Sequence, residues 1–224
     1  MTRHDFKEEM MAEKDTGSES QGRRIFVATA ELVGTTPYQQ GAAFKSPRGG
    51  DESPDDWETR CWMERACITD TGYVQLPQMA LKLCLQSAAS YRGEKIQGRR
   101  GKTFTQSFAS GIGIYSRVVL DVKKEAIVGT LVYVPAAPAS GKKQVARVWK
   151  TFPTIEPGWR ARAEIIVTDS AITQAVLQRH LTDAGEFIGL GVFSSRVGGL
   201  YGKFQAKILS WEEYHQPSVV EFSE

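Results

Sequence analysis

Apolar positions alternate with a period of two in several short segments of the chain, and this pattern predicts β-strands. The first is at residues 25–33, where one set of alternate positions suits a buried sheet face. Later segments are rich in β-branched and aromatic residues, which strands favour. They cover residues 117–122, 127–134, 145–152, 160–167 and 203–211.

Helical spacing replaces the alternation in two places. Residues 77–91 carry two adjacent apolar stripes, one of which includes Leu83 and Tyr91, so this helix is expected to pack deeply against a sheet. A second helix is predicted at residues 171–181. The expected terminal residues are Pro77 at the start of the first helix, Asp169 or Ser170 as the cap of the second, and Gly185 at its end.

The order of these elements is strand, helix, strands, helix, strand. It predicts an α+β domain with a ferredoxin-like (RRM-like) β-α-β-β-α-β core, in which two helices cover one face of an antiparallel sheet. The domain is expected at residues 24–211, with long insertions at about 38–60 and 92–116. A flexible polar tail is predicted at 1–23 and an acidic tail at 212–224.

Composition narrows the class of protein. The chain has 224 residues, 41% hydrophobic and 24% charged, which fits one globular domain. No apolar run reaches the roughly 20 residues of a membrane span, and the N-terminus has no secretory h-region. Cys61, Cys67 and Cys84 have neither disulfide nor zinc spacing, which favours a reducing compartment and hence the cytoplasm.

Candidate catalytic groups are sparse. His4, His180 and His215 are not paired with a nucleophile at any known spacing. Gly101-Lys102-Thr103 has the ending of a phosphate-binding P-loop, but Ile96 stands where that motif requires glycine. The sequence therefore predicts a protein that is not an enzyme and has no cofactor.

Asp55 and Asp56, in the acidic stretch at residues 41–58, could indicate a metal site. Glycine, proline and serine surround these carboxylates, so a long, mobile, solvated loop is the better prediction. No metal site is predicted.

The basic stretch, residues 92–102, is the first candidate binding site. It collects five cations and three glycines after the first helix. Cations neutralise phosphates, and the glycines would let the segment follow a nucleic-acid backbone. The alternative is a solvated loop that is basic by chance. The candidate residues are Arg92, Lys95, Arg99, Arg100 and Lys102.

A second basic cluster consists of Lys142, Lys143, Arg147 and Lys150. Trp149 and Phe152 lie beside these cations, and aromatic rings next to cations can stack unpaired bases. The net charge of +2 is too small to imply nucleic acid, so only the clustering argues for it. A tryptophan on a strand is as often a core residue, and both interpretations stay open.

The glycine loop, residues 189–202, is the sharpest motif in the chain. Two groups of glycines flank a short segment that contains Arg196. Successive backbone N–H groups in such turns can bind an anion, whereas the structural alternative is a tight hairpin that needs positive φ. The two interpretations are compatible. The candidate residues are Arg196, Gly198, Gly199 and Lys203.

This loop resembles the C-terminal glycine-rich loop of the RAMP superfamily, which includes backbone and guide-processing subunits of CRISPR effector complexes. The family pattern of Gly-x-Gly, polar spacer and second glycine group falls on Gly189 and Gly191, on 192–197, and on Gly198, Gly199 and Gly202. Residues 30–37 and 72–85 also resemble uncharacterised phage-encoded proteins of this type.

The resemblance implies a ferredoxin-like fold, RNA binding and, for backbone subunits, polymerisation along a guide. Guide-processing members usually cleave with a histidine near the first helix, and this chain has none there. The resemblance therefore does not imply nuclease activity.

Two classes of function follow. The leading hypothesis is non-enzymatic binding of single-stranded RNA or DNA, RNA in particular, with self-assembly along it. The alternative is a phage-type interaction protein that docks onto, or mimics, a subunit of a CRISPR complex through its acidic segments. A nuclease is the weakest hypothesis, because no acid–base pair is present.

Overall fold

The computed structural model describes residues 24–135 and 147–214. Within these residues the strands are β1 (Phe26–Gly34), β2 (Tyr38–Gln39), β3 (Tyr73–Gln75), β4 (Ile112–Ile114), β5 (Val119–Lys123), β6 (Val128–Pro135), β7 (Arg147–Ile155), β8 (Arg160–Val167) and β9 (Phe204–Glu213). The α-helices are α1 (Pro54–Cys61), α2 (Ala80–Arg92), α3 (Phe104–Ser110) and α4 (Gln174–Asp183). No helix in these ranges is long and apolar enough to cross a bilayer.

The main sheet is antiparallel and has the strand order β3-β5-β8-β1-β9, with β4 also paired to β8. β1 lies between β8 and β9 and pairs with both along its length. The predictions of a mixed α+β class and of one antiparallel sheet containing residues 25–33 and 203–211 are confirmed.

The hydrophobic core lies between this sheet and helices α2 and α4. β1 and β8 present alanines to the helices, and these small side chains allow close packing. Leu81 and Leu85 of α2 and Leu177 and Leu181 of α4 fill the space above them. On the opposite face, Glu31 is flanked by Arg162 and Lys207 on the neighbouring strands, so that face is polar.

β2, β7 and β6 form a second, three-stranded sheet. β6 and β7 pair over eight positions and continue well beyond the two residues of β2. We call this two-stranded extension the ribbon. The sequence pattern predicts both strands but does not separate them from the main sheet.

The helix boundaries differ from the predicted ones. The Ala80 N–H donates to the Pro77 carbonyl across a turn, so Pro77 precedes α2 instead of occupying its first position. The cap of α4 is Thr173, whose hydroxyl accepts from the Val176 N–H, and neither Asp169 nor Ser170 has this role.

Gly185 was predicted to end the second helix, and this is wrong. It lies in a π-helical turn, Ala184–Ile188, that continues α4, and the chain turns away at Gly189 with φ of 78°. A Cβ on Gly185 would overlap the Phe204 carbonyl oxygen of β9. Close approach to the sheet therefore explains this glycine.

The predicted acidic loop at 41–58 ends in helix α1, which Ser53 caps. Carboxylates organise the rest of the segment: Glu64 accepts from the Ser46 hydroxyl and from the Lys45 and Ser46 N–H groups. The Ser46 hydroxyl first, and then these N–H groups, lower the pKa of Glu64 to about 2. The insertion at 92–116 likewise contains structure, namely α3 and β4. The predicted tail at 1–23 and all but the first three residues of the predicted tail at 212–224 lie outside the described residues.

His180 is sealed inside the helical layer. Its ring stacks on Phe108 at 4.3 Å, Phe104 meets it edge-on, and Nδ1 lies 2.8 Å from the Val176 carbonyl oxygen. Nε2 is buried without a hydrogen-bond partner among the described residues. Burial lowers the pKa of His180, and the backbone contact opposes this only in part.

The free energy of unfolding is therefore expected to fall on acidification. In the unfolded chain histidine has a pKa of about 6.5, so below that pH the unfolded state takes up the proton first. The contribution is fully present above pH about 6.5 and is lost as the pH falls towards the lower folded-state pKa. Urea unfolding at about pH 7.5 and pH 5.5 measures it. His180→Gln should flatten the dependence, and an equally steep variant would contradict the assignment.

Candidate nucleic-acid interface

An exposed aromatic group lies on one face of the ribbon. Tyr133 of β6 pairs with Trp149 of β7, and their ring centroids are 5.0 Å apart. The Arg147 guanidinium lies 6.0 Å from the Tyr133 ring centroid. Trp149 is 58% exposed and Tyr133 49%, so the core interpretation of Trp149 is wrong. Phe152, by contrast, is buried.

The basic stretch forms a tight loop anchored by Ile96. This side chain is buried, and its N–H donates to the Lys102 carbonyl at 2.8 Å. Gly98 and Gly101 have φ of 77° and 72°, which explains why glycines occupy these turns. The outer cations of the loop are exposed to solvent, and none of them forms an ion pair with another described residue. These are Lys95, Arg99, Arg100 and Lys102.

Arg92, the first residue of the predicted site, is placed differently. Its guanidinium pairs with Glu94 at 2.6 Å and with Asp183 of α4 at 2.7 Å. The carboxylates of Asp183 and Glu94 raise the pKa of Arg92. Arg179 also pairs with Glu94, at 2.7 Å. Arg92 therefore fixes the base of the loop to α4, and no local sequence pattern indicates its partner Asp183.

The glycine loop docks onto the segment that follows β1. The Leu190 N–H donates to the Gly202 carbonyl, and the Gly202 N–H donates to the Pro37 carbonyl. Gly189, Gly191, Gly198 and Gly202 have positive φ. The expected positive φ is found, but the expected hairpin is not, because no strand lies between Ile188 and β9 and residues Ser195–Val197 form a 3₁₀ turn. Gly199 has a different role, because its close approach to the Phe193 carbonyl oxygen leaves no room for a Cβ.

Two cations belong to the glycine loop and its exit. Lys203 donates from Nζ to the Ser195 hydroxyl at 2.6 Å, and burial lowers its pKa. Arg196 is exposed and forms no ion pair with the described part of the chain. Beneath the loop, Cys84 of α2 lies 3.4 Å from the carbonyl oxygens of Ala184 and Gly189. Burial raises the pKa of this thiol to about 12, so it packs as a neutral group.

One aromatic contact joins the glycine loop to the ribbon, and another joins the end of α2 to the segment before the glycine loop. Phe193 of the glycine loop packs edge-on against Phe152 at the root of the ribbon, at 5.0 Å. Tyr91, next to the basic stretch, lies 5.4 Å from Phe187, just before the glycine loop. Both rings of this second pair are exposed, although Tyr91 was predicted on a packed stripe of its helix. Sequence reasoning missed this pair. Lys142 and Lys143 lie outside the described residues.

Comparisons with known proteins give a distant structural likeness and no family. No family model and no curated protein matches the chain. Among solved structures, a chain of the Type III-B Cmr-beta bound to cognate target RNA matches at a TM-score of 0.42 and 16% identity. The match covers 94% of this chain, which spans 66% of the length of that chain. A likeness this distant does not indicate a function for this chain.

Proposed function

We propose that this protein binds single-stranded nucleic acid, RNA in particular, without catalysing a reaction on it. The observation that carries the proposal is the exposed group of Tyr133, Trp149 and Arg147 on the ribbon. Unpaired bases stack on such rings whatever their identity, because every base has a π-face. Two large, exposed aromatic side chains that lie side by side on a β-pair offer that surface to unpaired bases.

The exposed cations supply the electrostatic part of the proposal. The basic stretch offers Lys95, Arg99, Arg100 and Lys102, and the glycine loop adds Arg196. Cations without carboxylate partners are free to replace the counterions around phosphates, and this replacement drives most non-specific binding. Lys142 and Lys143 are proposed to contribute further cations, because in the sequence they lie between β6 and β7.

A ferredoxin-like core of RAMP type is part of the same proposal. Its support is the strand order β9-β1-β8-β5 together with the positions of α2 after β1 and α4 after β8. The resemblance of the glycine loop to RAMP proteins adds three expectations. The chain binds RNA, copies of it assemble along that RNA, and subunits of CRISPR complexes are its protein partners. The absence of catalysis is also a proposal. Its support is that His180 is enclosed by Phe104 and Phe108 and cannot reach a substrate.

Trp149→Leu is expected to weaken binding of single-stranded RNA by about 1–3 kcal/mol for each base stacked on the ring. Leucine keeps an apolar side chain on the strand but removes the π-face. Fluorescence anisotropy with labelled RNA and DNA oligomers at two salt concentrations measures the loss. It should be similar for different base sequences, since stacking is tolerant of sequence.

Tyr115→Leu is the matched control for Trp149→Leu, because Tyr115 is an equally exposed aromatic residue outside the ribbon. It should leave the affinity unchanged. Equal losses of RNA affinity in both variants would show that the aromatic residues of the ribbon have no specific part in binding. A nucleic-acid-free preparation with no measurable affinity for any oligomer would overturn the proposed function and favour the interaction-protein hypothesis.

A further inference from the structure

The backbone of β7 shows which way the ribbon strands direct their polar groups. The Thr151 N–H points away from β6 and donates to the Glu58 carboxylate of α1 at 3.2 Å. The Pro153 carbonyl also points away from β6 and accepts from the Gln40 N–H at 3.2 Å. Thr151 and Pro153 are therefore in the non-hydrogen-bonded positions of the antiparallel ladder between β7 and β6.

Their partners on β6 must face outward in the same way. Leu131 pairs with Thr151 and Gly129 with Pro153, and Tyr133 follows at the same period of two. The N–H and C=O groups of these three residues point to the free edge of β6 and bind no described residue. β6 is thus an edge strand with a row of unused backbone groups.

Two other sheet edges, those of β9 and β3, have hydrogen-bond partners for their outer backbone groups. On β9, the Gln178 side chain binds the Ala206 carbonyl and the Ile208 N–H, at 2.9 and 2.8 Å. On β3, residues 67–69 bind the outer backbone groups of Tyr73 and Gln75. Exposed edges usually carry charges, prolines or bulges that prevent pairing with another chain. β6 has no charged residue, no bulge, and its proline only at the last position.

The outer half of the ribbon has apolar side chains on both faces. Leu131, Tyr133 and Trp149 lie on one face, and Val132 and Val134 lie on the other. Alternating strands normally put polar residues on a solvated face, and two strands alone are marginally stable in water. Apolar side chains on both faces of the ribbon therefore favour pairing with a third strand.

We propose that this third strand is β6 of a second copy of the chain, paired antiparallel about a two-fold axis at Leu131. Outward-facing residues form the hydrogen-bonded pairs of such a ladder. Leu131 then meets Leu131 of the second copy, and Tyr133 meets Gly129 of the second copy. The two ribbons become one four-stranded sheet.

The strand is complementary to itself in this register. Tyr133, the largest side chain of β6, lies opposite Gly129, which has no side chain, and meets there the Trp62 ring, which would lie 3.4 Å from a Cβ on Gly129. On the other face Thr130 meets Val132, a favourable pair of β-branched residues. An uncharged strand meets no like charge when it pairs with its own copy. A nucleic acid has no alternating N–H and C=O groups to complete the ladder, so the edge suits a protein strand.

The test is the mass of the purified, nucleic-acid-free protein in solution, measured by light scattering. The wild-type chain should have the mass of two copies. Leu131→Lys and Leu131→Glu should each have the mass of one copy, because like charges would face each other across the axis. An equimolar mixture of the two variants should return to the mass of two copies. Val148→Lys, on the inner strand of the same ribbon, is the matched control and should remain a dimer.

A cysteine variant keeps the proposal testable if charged variants fail to fold. Leu131→Cys should form a covalent dimer on oxidation, because hydrogen-bonded antiparallel partners lie about 5.5 Å apart at Cα, within disulfide range. Val148→Cys should not. A wild-type monomer, dimeric single-charge variants or an unpaired mixture would each overturn the proposal. So would a dimer formed only after removal of residues 215–224, since the chain's own end would then occupy the edge. None of these results depends on whether the protein binds nucleic acid.

Discussion

Gly202→Ala is expected to lower the free energy of unfolding by roughly 3–5 kcal/mol, close to the limit for a single substitution. Gly202 has φ of 70°, where any L side chain is strained by about 1–2 kcal/mol. Its Cβ would also overlap the backbone carbonyl of Leu190. No rotamer relieves a clash with backbone, and moving Leu190 breaks its hydrogen bond to the Gly202 carbonyl. Urea unfolding followed by circular dichroism gives the free energy directly.

Gly198→Ala is the control for Gly202→Ala. Gly198 has φ of 85°, but a Cβ there meets nothing within 4 Å. Only the backbone strain applies, so the expected loss is about 1 kcal/mol. Equal losses at the two positions would show that close packing of the glycine loop contributes nothing. Nucleic-acid affinity measured on both variants then separates a loop needed for binding from one needed for folding.

Element types were predictable where a periodic pattern was long. The segment predicted at 25–33 is β1, Phe26–Gly34, and the helix predicted at 77–91 is α2, Ala80–Arg92. The start of helix α1, at Pro54, was missed because the charged residues there suggested a solvated loop. The signal was present: Ser53 as cap, Pro54 at the first position and two acids in the first turn.

The orientation of a helix was less predictable than its existence. α2 is apolar around more than half of its circumference, and such a pattern does not say which stripe meets the sheet. Leu83 and Tyr91 proved exposed, while Leu81, Leu85 and Ala88 are buried. Only the tertiary structure, through the positions of the sheet and α4, decides between the stripes.

The candidate site was predictable only as clusters in the sequence. The basic stretch and the glycine loop are local motifs, so their residues could be named. The pairing of Arg92 with Asp183 joins positions far apart in sequence. The pairing of Tyr133 with Trp149 depends on the register of the ribbon. Neither follows from local patterns.

Neutralising Arg99, Arg100 and Lys102 together, each to glutamine, is expected to weaken binding of single-stranded nucleic acid about 100-fold at roughly 0.1 M salt. Each phosphate contact contributes a slope of about 0.7 in log affinity against log salt for a single strand. Three lost contacts reduce the slope by about 2, which is about two decades at that salt concentration. Titrations across a range of salt concentrations measure the slope and the affinity together.

The matched control neutralises three exposed cations elsewhere, Arg48, Lys123 and Lys124, and so lowers the net charge by the same amount. If phosphate contacts are local to the basic stretch, this control changes the slope little, because only contacted phosphates release counterions. Equal effects of both triple variants would mean that net charge alone attracts the ligand.

The loss of affinity on neutralising the basic stretch should be the same for all base sequences, since phosphate contacts position a strand without identifying its bases. Unfolding should be unaffected, because the outer loop side chains are exposed and carry no ion pairs among the described residues. Arg92→Gln should behave differently: it is expected to destabilise the fold, since it leaves the largely buried Asp183 carboxylate without its cation.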